Sequence, residues 1–159
     1  MTVGFYAGSF DPFTNGHLQV VKKACSIFDL VVIGIGTNPA KKRRFDKEKM
    51  RAAIYEVMKR EGLDEQVEVY IYDSTMTIDA AQFYRANYLI RGIRNGIDYQ
   101  YEENIASMNQ EVGKMDTIYF RAGELGNVSS SMVMELFSHG RDVSKYLPEP
   151  VYEVIKGTI

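Results

Sequence analysis

Residues 3–17 read VGFYAGSFDPFTNGH, and the interpretation of the whole chain starts from this stretch. Its first part, Val3–Tyr6, has the aromatic and β-branched residues of a short buried strand. Gly8 and Gly16 bound the turn that follows, and the apolar residues after Gly16 recur at helical spacing. The stretch therefore predicts a strand, a tight turn and a helix.

The predicted start of this helix is suited to an anion. A helix N-terminus offers free backbone N–H groups and a partial positive charge, which together favour a phosphate. Gly8 and Gly16 allow the backbone to approach a ligand closely, and His17 would project from the first turn into the same space. The alternative is a tight turn in which His17 is a half-buried packing residue. The stretch alone does not decide between the two.

Strand-like and helix-like segments alternate along the rest of the chain. The further predicted strands are Leu30–Gly36, Val67–Tyr72, Tyr88–Arg91 and Asp116–Phe120. The further predicted helices run from an Asp46 N-cap through Arg60, over Asp79–Arg85, over Tyr99–Val112, from Ser129–Ser131 through Ser138 with Gly140 as C-cap, and from about Pro148–Pro150 onward. This order predicts an α/β fold, Rossmann-like and single-domain over residues 1–159, with a five-stranded parallel sheet and helices on both faces.

Composition narrows the class of protein. Of the 159 residues, 45% are hydrophobic and 25% are charged, as in soluble globular proteins. The sequence has neither a membrane-length apolar run nor a signal-like N-terminus. Cys25 is the only cysteine, so an internal disulfide is impossible and we expect a reducing compartment, the cytoplasm. A net charge of −2 argues against general nucleic-acid binding.

A basic segment, Asn38–Phe45, follows the second predicted strand and opens on the same sheet edge as the first turn. Lys41 in this segment has a flexible ammonium group that can follow charge developing on a phosphoryl group. The alternative is a solvated basic loop, and residues 42–44 need be no more than that.

The fourth predicted strand ends in Arg91–Arg94, which reads RGIR. Two guanidinium groups beside a glycine at a strand's carboxyl end form a sensible clamp for a phosphate or polyphosphate. They could instead pair with Asp98, Glu102 or Glu103. The position at the expected ligand crevice favours the phosphate interpretation.

The fifth predicted strand leads to Ser129–Ser131 at another helix start. Capping explains one of these serines, and the others supply further hydroxyl and amide donors. His139, the other histidine, lies in the last turn of a helix, where interaction with the dipole and solvent suffices. The sequence therefore predicts a polyphosphate site that acts by position and charge. Transfer to a phosphate acceptor is consistent with such a site. A phosphate oxygen is already ionised and needs no general base to attack.

Residues 8–17 resemble the Thr/His-x-Gly-His signature of the nucleotidyltransferase superfamily, in its Thr form. The resemblance continues through Asn38–Lys42, Arg91–Arg94, Asp98–Glu102, Met108–Asn109, Ser129–Ser131 and Leu147–Glu149. In this order and at these spacings, nearly the whole chain is similar to the bacterial phosphopantetheine adenylyltransferases.

The resemblance implies a reversible reaction in which ATP and 4′-phosphopantetheine give dephospho-coenzyme A and pyrophosphate, without a covalent enzyme intermediate. It implies Mg2+ accompanying ATP, a homohexamer, and inhibition by coenzyme A, with neither nucleic acid nor membrane as a partner.

The resemblance also assigns site residues. The catalytic residues would be His17, Lys41 and Arg91. The ATP site would comprise Ser9, Phe10, His17, Gly92, Ile93, Arg94, Glu102, Leu125, Gly126, Asn127, Val128, Ser129, Ser130 and Ser131. The acceptor site would comprise Ser9, Lys41, Thr77 and Arg91. The chain departs from the family pattern at Ala7, at Gln100 and at residues 125–128, where the family usually has Pro, Glu and an aromatic-containing run.

Two other functions remain to be weighed. One is a related transferase that acts on nicotinamide mononucleotide or, as a cytidylyltransferase, on a polyol phosphate; Thr14 and the Arg91–Glu102 segment argue against both. The other is a non-catalytic sensor of ATP or coenzyme A. The joint presence of His17, Lys41 and the two arginines at 91 and 94 argues against a sensor.

Overall fold

A computed structural model describes residues 1–38, 40–94, 96–121, 125 and 128–157. The strands in these ranges are β1 (Val3–Gly8), β2 (Leu30–Thr37), β3 (Val67–Asp73), β4 (Tyr88–Ile93) and β5 (Asp116–Arg121). The α-helices are α1 (Asn15–Cys25), α2 (Lys47–Arg60), α3 (Thr77–Phe83), α4 (Gly96–Gly113), α5 (Ser130–Ser138) and α6 (Glu149–Lys156). A 3₁₀ turn occupies Ser144–Tyr146. Across the described ranges, each helix is too short or too polar to serve as a membrane span.

The five strands form one parallel sheet in the order β3-β2-β1-β4-β5. The predicted five-stranded parallel sheet with helices on both faces is thereby confirmed. β1 is central, and Gly4 pairs with Val31 of β2 on one side and with Tyr88 of β4 on the other. The chain builds outward from β1 through β3 and then returns to the other side of β1. Strand order therefore reverses between β1 and β4, and the crevice at their carboxyl ends is where such sheets bind ligands.

The two faces of the sheet pack against hydrophobic cores of different size. Side chains alternate between faces along each strand, so Tyr6 and Ile33 point to the larger core while Phe5 and Val32 point to the smaller one. Helices α1, α2, α5 and α6 supply the larger core. On the other face, Ile78 of α3 packs in the smaller core, and α4 lies beside α3 against β4 and β5.

Two predicted capping residues can be compared with the observed ends of α2 and α5. The Asp46 carboxylate accepts the Lys49 N–H at 3.0 Å and starts α2 as predicted. Helix α5 ends at Ser138 as predicted, but its C-cap is His139, and the predicted cap Gly140, at φ 74°, is the next residue.

The third helix is displaced from its prediction. It begins at Thr77 rather than Asp79, because the Asp79 N–H already donates to Met76 O at 3.0 Å within the first turn. It ends at Phe83, before Arg85 adopts a left-handed φ of 54°. Helix α4 also begins earlier than predicted, at Gly96.

The core at the centre of the sheet gives a test of this packing. Ile90 of β4 is fully buried, whereas Ile27 after α1 is 58% exposed. We expect Ile90→Ala to lower the free energy of unfolding by about 2–5 kcal/mol, because it leaves a cavity in the core. The matched Ile27→Ala should change it by less than about 0.5 kcal/mol. Urea unfolding measures both, and equal losses would contradict the assigned packing.

Candidate functional site

A cavity of about 240 Å³ opens at the carboxyl ends of β1 and β4. We call it the His17 cavity. Its lining residues are Tyr6, Ala7, Gly8, Ser9, Phe10, Gly16, His17, Val20, Arg91, Gly92, Arg94, Glu102, Val128, Ser129 and Ser130. They come from β1, β4, α1, α4, the start of α5 and the loops between these elements, so the parallel topology collects distant segments at the reversal of strand order.

The structure brings most of the predicted site residues into this cavity. Those that line it are Ser9, Phe10, His17, Arg91, Gly92, Arg94, Glu102, Val128, Ser129 and Ser130. Those that do not line it are Lys41, Thr77, Ile93, Leu125 and Ser131. Gly126 and Asn127 lie outside the described residues. The individual roles of all these residues stay predictions.

His17 is oriented by the first turn of its own helix. Thr14 is the N-cap of α1, and its backbone N–H donates to His17 Nδ1 at 2.9 Å. In return, the His17 backbone N–H donates to Thr14 Oγ1 at 3.4 Å. This reciprocal arrangement is a capping box in which histidine takes the place usually held by Glu or Gln. Since Nδ1 accepts a hydrogen bond, the neutral ring carries its proton on Nε2.

Aromatic rings surround the imidazole. Phe10 meets it edge-on with centroids 5.0 Å apart, Phe13 lies at 5.5 Å and Tyr6 at 6.4 Å. Burial, followed by the nearby Arg91 and Arg94 guanidinium groups, lowers the pKa of His17 to about 3. His17 is therefore a neutral hydrogen-bond donor at neutral pH.

Arg91 is held by a carboxylate and a backbone oxygen. Its Nε and Nη2 donate to the two Glu102 carboxylate oxygens, each at 2.7 Å, and Nη1 donates to Ala7 O. This fork-to-fork geometry fixes the plane of the guanidinium group. The pairing with Glu102 that sequence left open is thus present, and Arg91 lines the His17 cavity as well.

A second cavity, of about 390 Å³, lies on the far side of Arg91, and we call it the Thr77 cavity. Its lining residues are Ala7, Thr75, Met76, Thr77, Leu89, Ile90, Arg91, Tyr101, Glu102, Ile105, Ala106, Met108, Asn109 and Thr117. It shares Ala7, Arg91 and Glu102 with the His17 cavity. The remaining wall is largely apolar, with Thr77 Oγ1 hydrogen-bonded to Tyr72 Oη at 2.9 Å. This shape suits a ligand with an anionic end at Arg91 and a less polar remainder.

The serines after β5 have separate structural tasks. Ser129 caps α5 by accepting the Met132 N–H at 3.1 Å, so the predicted capping by one serine is confirmed. Ser130 Oγ donates to Pro12 O at 2.7 Å and ties this helix start to the first loop.

Close approach explains Gly8, at the end of β1, because a Cβ there would lie 3.0 Å from the Phe10 ring. At Gly16, in α1, a Cβ would lie 3.4 Å from Val128 O, which is an ordinary contact. Sequence reasoning missed Tyr6 and Val20 as lining residues. Their apolar positions on β1 and α1 give the same signal as core residues.

The basic segment after β2 lies beside this site. Lys41 is exposed and lines a separate cavity of about 520 Å³ together with Thr37, Asn38, Arg43, Arg44, Phe45, Asp46, Lys47 and Asp73. The interpretation of residues 42–44 as a merely solvated loop is wrong for Arg43 and Arg44. Both donate hydrogen bonds to the loop that carries Ser9.

A family model and several known enzymes are similar to this chain over most of its length. The Cytidylyltransferase-like family model matches residues 5–136. A phosphopantetheine adenylyltransferase of Phocaeicola vulgatus is 43% identical over 94% of this chain and 97% of its own length. Enzymes of that name from Latilactobacillus sakei and Leuconostoc mesenteroides are 42% and 37% identical, over 94% and 98% of this chain and 90% and 95% of their own.

A solved structure shares the fold. It is described as a candidate nicotinate-nucleotide adenylyltransferase from Vibrio parahaemolyticus, and it matches with a TM-score of 0.71 and 17% identity. The match covers 99% of this chain and 93% of that one. At this identity the likeness supports the Rossmann-like architecture alone.

The environment of His17 predicts an unusual titration. Because its pKa is lowered to about 3, we expect the imidazole nitrogen shifts of His17 to stay those of the neutral Nε2–H form from pH 8 down to about pH 5. Nitrogen-15 NMR on histidine-labelled protein measures this, with His17→Gln assigning the signal. A His17 midpoint near the ordinary value of 6.5 would show that the ring is not shielded as described.

Proposed function

Because this chain belongs to the phosphopantetheine adenylyltransferase family, we propose that it transfers the adenylyl group of ATP to 4′-phosphopantetheine, giving dephospho-coenzyme A and pyrophosphate. The observation that carries the proposal is the pair of adjoining cavities at the reversal of strand order, which share Arg91. ATP would occupy the His17 cavity, and the acceptor would occupy the Thr77 cavity with its phosphate at Arg91.

The reaction is an in-line displacement at the α-phosphorus of ATP. An oxygen of the acceptor phosphate forms the new P–O bond as the bond to the pyrophosphate leaving group breaks. The second pKa of a phosphate monoester is about 6, so the attacking oxygen is already ionised near neutral pH. The protein therefore needs neither a nucleophile of its own nor a general base.

His17 stabilises charge on the transferred group. Its Nδ1 is engaged by Thr14, and its neutral ring carries a proton on Nε2 that can be donated to a non-bridging phosphate oxygen. Backbone N–H groups in the first turn of α1 add a favourable dipole at the same place. Lys41, on its exposed segment, follows the charge as it moves to pyrophosphate.

Arg91 positions the acceptor phosphate. Glu102 and Ala7 O hold three of its N–H groups, so the guanidinium plane is set before substrate binds. Preset geometry of this kind lowers the entropic cost of bringing the acceptor to the α-phosphorus. The apolar wall around Met108 and Ile105 would accept the pantetheine arm.

We assign Mg2+ to the nucleotide rather than to a protein site. Among the described residues, nowhere do three or more His, Cys, Asp or Glu side chains form a group that could hold a metal ion. Magnesium binds substrate phosphates readily and keeps much of its water shell. Bound to the ATP phosphates, it would neutralise charge on pyrophosphate.

The assembly and regulation that we propose are a homohexamer in the cytoplasm, inhibited by coenzyme A. Support for self-association comes from α3 and α4, where Phe83, Tyr101 and Val112 are 72%, 65% and 58% exposed. Large apolar side chains such as these would be covered in an assembly of several copies. Coenzyme A contains both the pantetheine arm and an adenine nucleotide, so it would compete for the same two cavities.

Replacing His17 tests the proposed function. We expect the wild-type protein to release pyrophosphate from Mg-ATP with 4′-phosphopantetheine, and His17→Ala to turn over about 10²–10³-fold more slowly, because one transition-state donor is lost. His139→Ala is the matched control, since His139 is exposed at the end of α5.

The same assay separates the alternatives. Release with nicotinamide mononucleotide or a polyol phosphate instead of phosphopantetheine would replace the proposed acceptor. Release with none of them would favour a sensor, and near wild-type turnover by His17→Ala would remove the role given to His17.

Substitution of Arg91 tests the acceptor site. Arg91→Lys keeps the charge but loses the fork that binds Glu102. We expect it to raise the KM for 4′-phosphopantetheine by about 10–100-fold, as for loss of charge-assisted hydrogen bonds, with a smaller effect on the KM for ATP. Steady-state kinetics measures both constants, and the opposite pattern would assign Arg91 to the nucleotide instead.

A further inference from the structure

Two loops at the carboxyl edge of the sheet are fastened together by a buried carboxylate. One loop, residues 9–14, joins β1 to α1, and the other, residues 38–46, joins β2 to α2 and carries Lys41. We propose that Asp11 is a positioning residue that fixes the Lys41 loop relative to the His17 cavity. This inference rests on the proposed function for the role of Lys41 in the reaction.

Asp11 accepts hydrogen bonds from successive backbone groups of the second loop. Its Oδ2 accepts the Arg44 N–H at 2.7 Å, and its Oδ1 accepts the Phe45 N–H at 3.0 Å. The Arg43 Nη2 lies 3.6 Å from the same Oδ1. The side chains of Asp11 and Arg43 are only 12% and 15% exposed. A carboxylate shielded in this way binds these donors more strongly than an exposed one.

Arginine side chains return the contact in the opposite direction. Arg43 Nη1 donates to Ser9 O at 2.6 Å and Nη2 to Phe10 O at 3.5 Å, and within its own loop Nε donates to Phe45 O at 3.0 Å. Arg44 Nη1 donates to Asp11 O at 2.9 Å. We call this set of contacts the Asp11 brace. It joins the loops through both side chains and backbone, so neither can shift without breaking several bonds.

The brace determines where Lys41 can reach. Lys41 is exposed, and its N–H donates to Asn38 O at 2.9 Å within a local turn. On its other side, two residues later, Arg43 holds the carbonyl of Ser9. Ser9 itself lines the His17 cavity. The Lys41 backbone is therefore held on one side by the Asn38 turn after β2 and on the other by the Asp11 brace, which ties it to the loop that carries Ser9.

Asp11→Asn is the sharpest test, because it preserves size and changes one acceptor oxygen into a donor. The new NH2 group would face a backbone N–H of Arg44 or Phe45, and that bond is lost. We expect kcat for pyrophosphate release to fall about 10–100-fold, the scale of a misplaced catalytic group. The control is Asp29→Asn, which alters a carboxylate that accepts the Thr2 N–H at 2.7 Å near the start of β1 and should leave kcat unchanged.

A double-mutant cycle separates positioning from general destabilisation. If Asp11 acts through Lys41, Asp11→Asn should have little further effect on kcat in a Lys41→Ala background. Equal fold-losses in both backgrounds would overturn the proposal, because Asp11 would then act independently of Lys41.

Limited trypsin digestion gives a readout that needs no activity. Loosening of the brace should speed cleavage after Lys41 and Lys42 at least several-fold in Asp11→Asn but not in Asp29→Asn. Should Asp11→Asn fail to fold, Arg43→Lys replaces it, since it keeps the charge but loses the fork to Ser9 O and Phe45 O.

The outcomes also distinguish this inference from the proposed function. Wild-type protein that releases no pyrophosphate with 4′-phosphopantetheine contradicts the function, and digestion still reports on the brace. Active wild-type protein with unchanged kcat and unchanged digestion in both Asp11→Asn and Arg43→Lys contradicts the brace alone.

Discussion

The site depends on the pair of hydrogen bonds that Thr14 and His17 exchange at the start of α1. These bonds satisfy backbone groups that every helix N-terminus leaves without partners. They also fix which imidazole nitrogen holds the proton, so the start of the helix and the orientation of this ring depend on the same bonds. The rings of Phe10 and Phe13 then pack against the imidazole, which remains at the wall of the His17 cavity. The same bonds thus serve both the start of α1 and the orientation of the ring.

Neutrality of His17 is a consequence of its surroundings and has a cost at low pH. The unfolded chain binds a proton on this ring below about pH 6.5, whereas the folded chain resists protonation down to about pH 3. Stability from this residue is therefore complete above pH 6.5 and declines as the pH falls towards 3. Burial is the main cause of this neutrality, and the Arg91 and Arg94 charges add to it. Under the proposed function the same two charges would also attract the substrate phosphates.

The sequence predicted almost the whole fold. The alternation of strand-like and helix-like segments, and caps such as Asp46, can be recognised from neighbouring residues alone. The sequence also identified the residues at the strand ends that the topology brings together, such as Ser9 and Arg91. It could not reveal the Asp11 contacts, which join positions 33 and 34 residues apart and require the loops to be placed in space. The sequence also could not show that Tyr6 lines the cavity. An aromatic side chain at this position suits a buried core residue and a ligand contact equally well.

The guanidinium–carboxylate wall between the two cavities has a thermodynamic corollary. Arg91 and Glu102 face both chambers, so an occupant of either one acts on the same pair of groups. If an occupant of one chamber changes the affinity of the other by some factor, the reverse effect must have the same factor. Under the proposed function, ATP and the acceptor would each act on Arg91 and Glu102 before any bond between them forms. Residues shared by two cavities can thus couple binding at both without any domain movement.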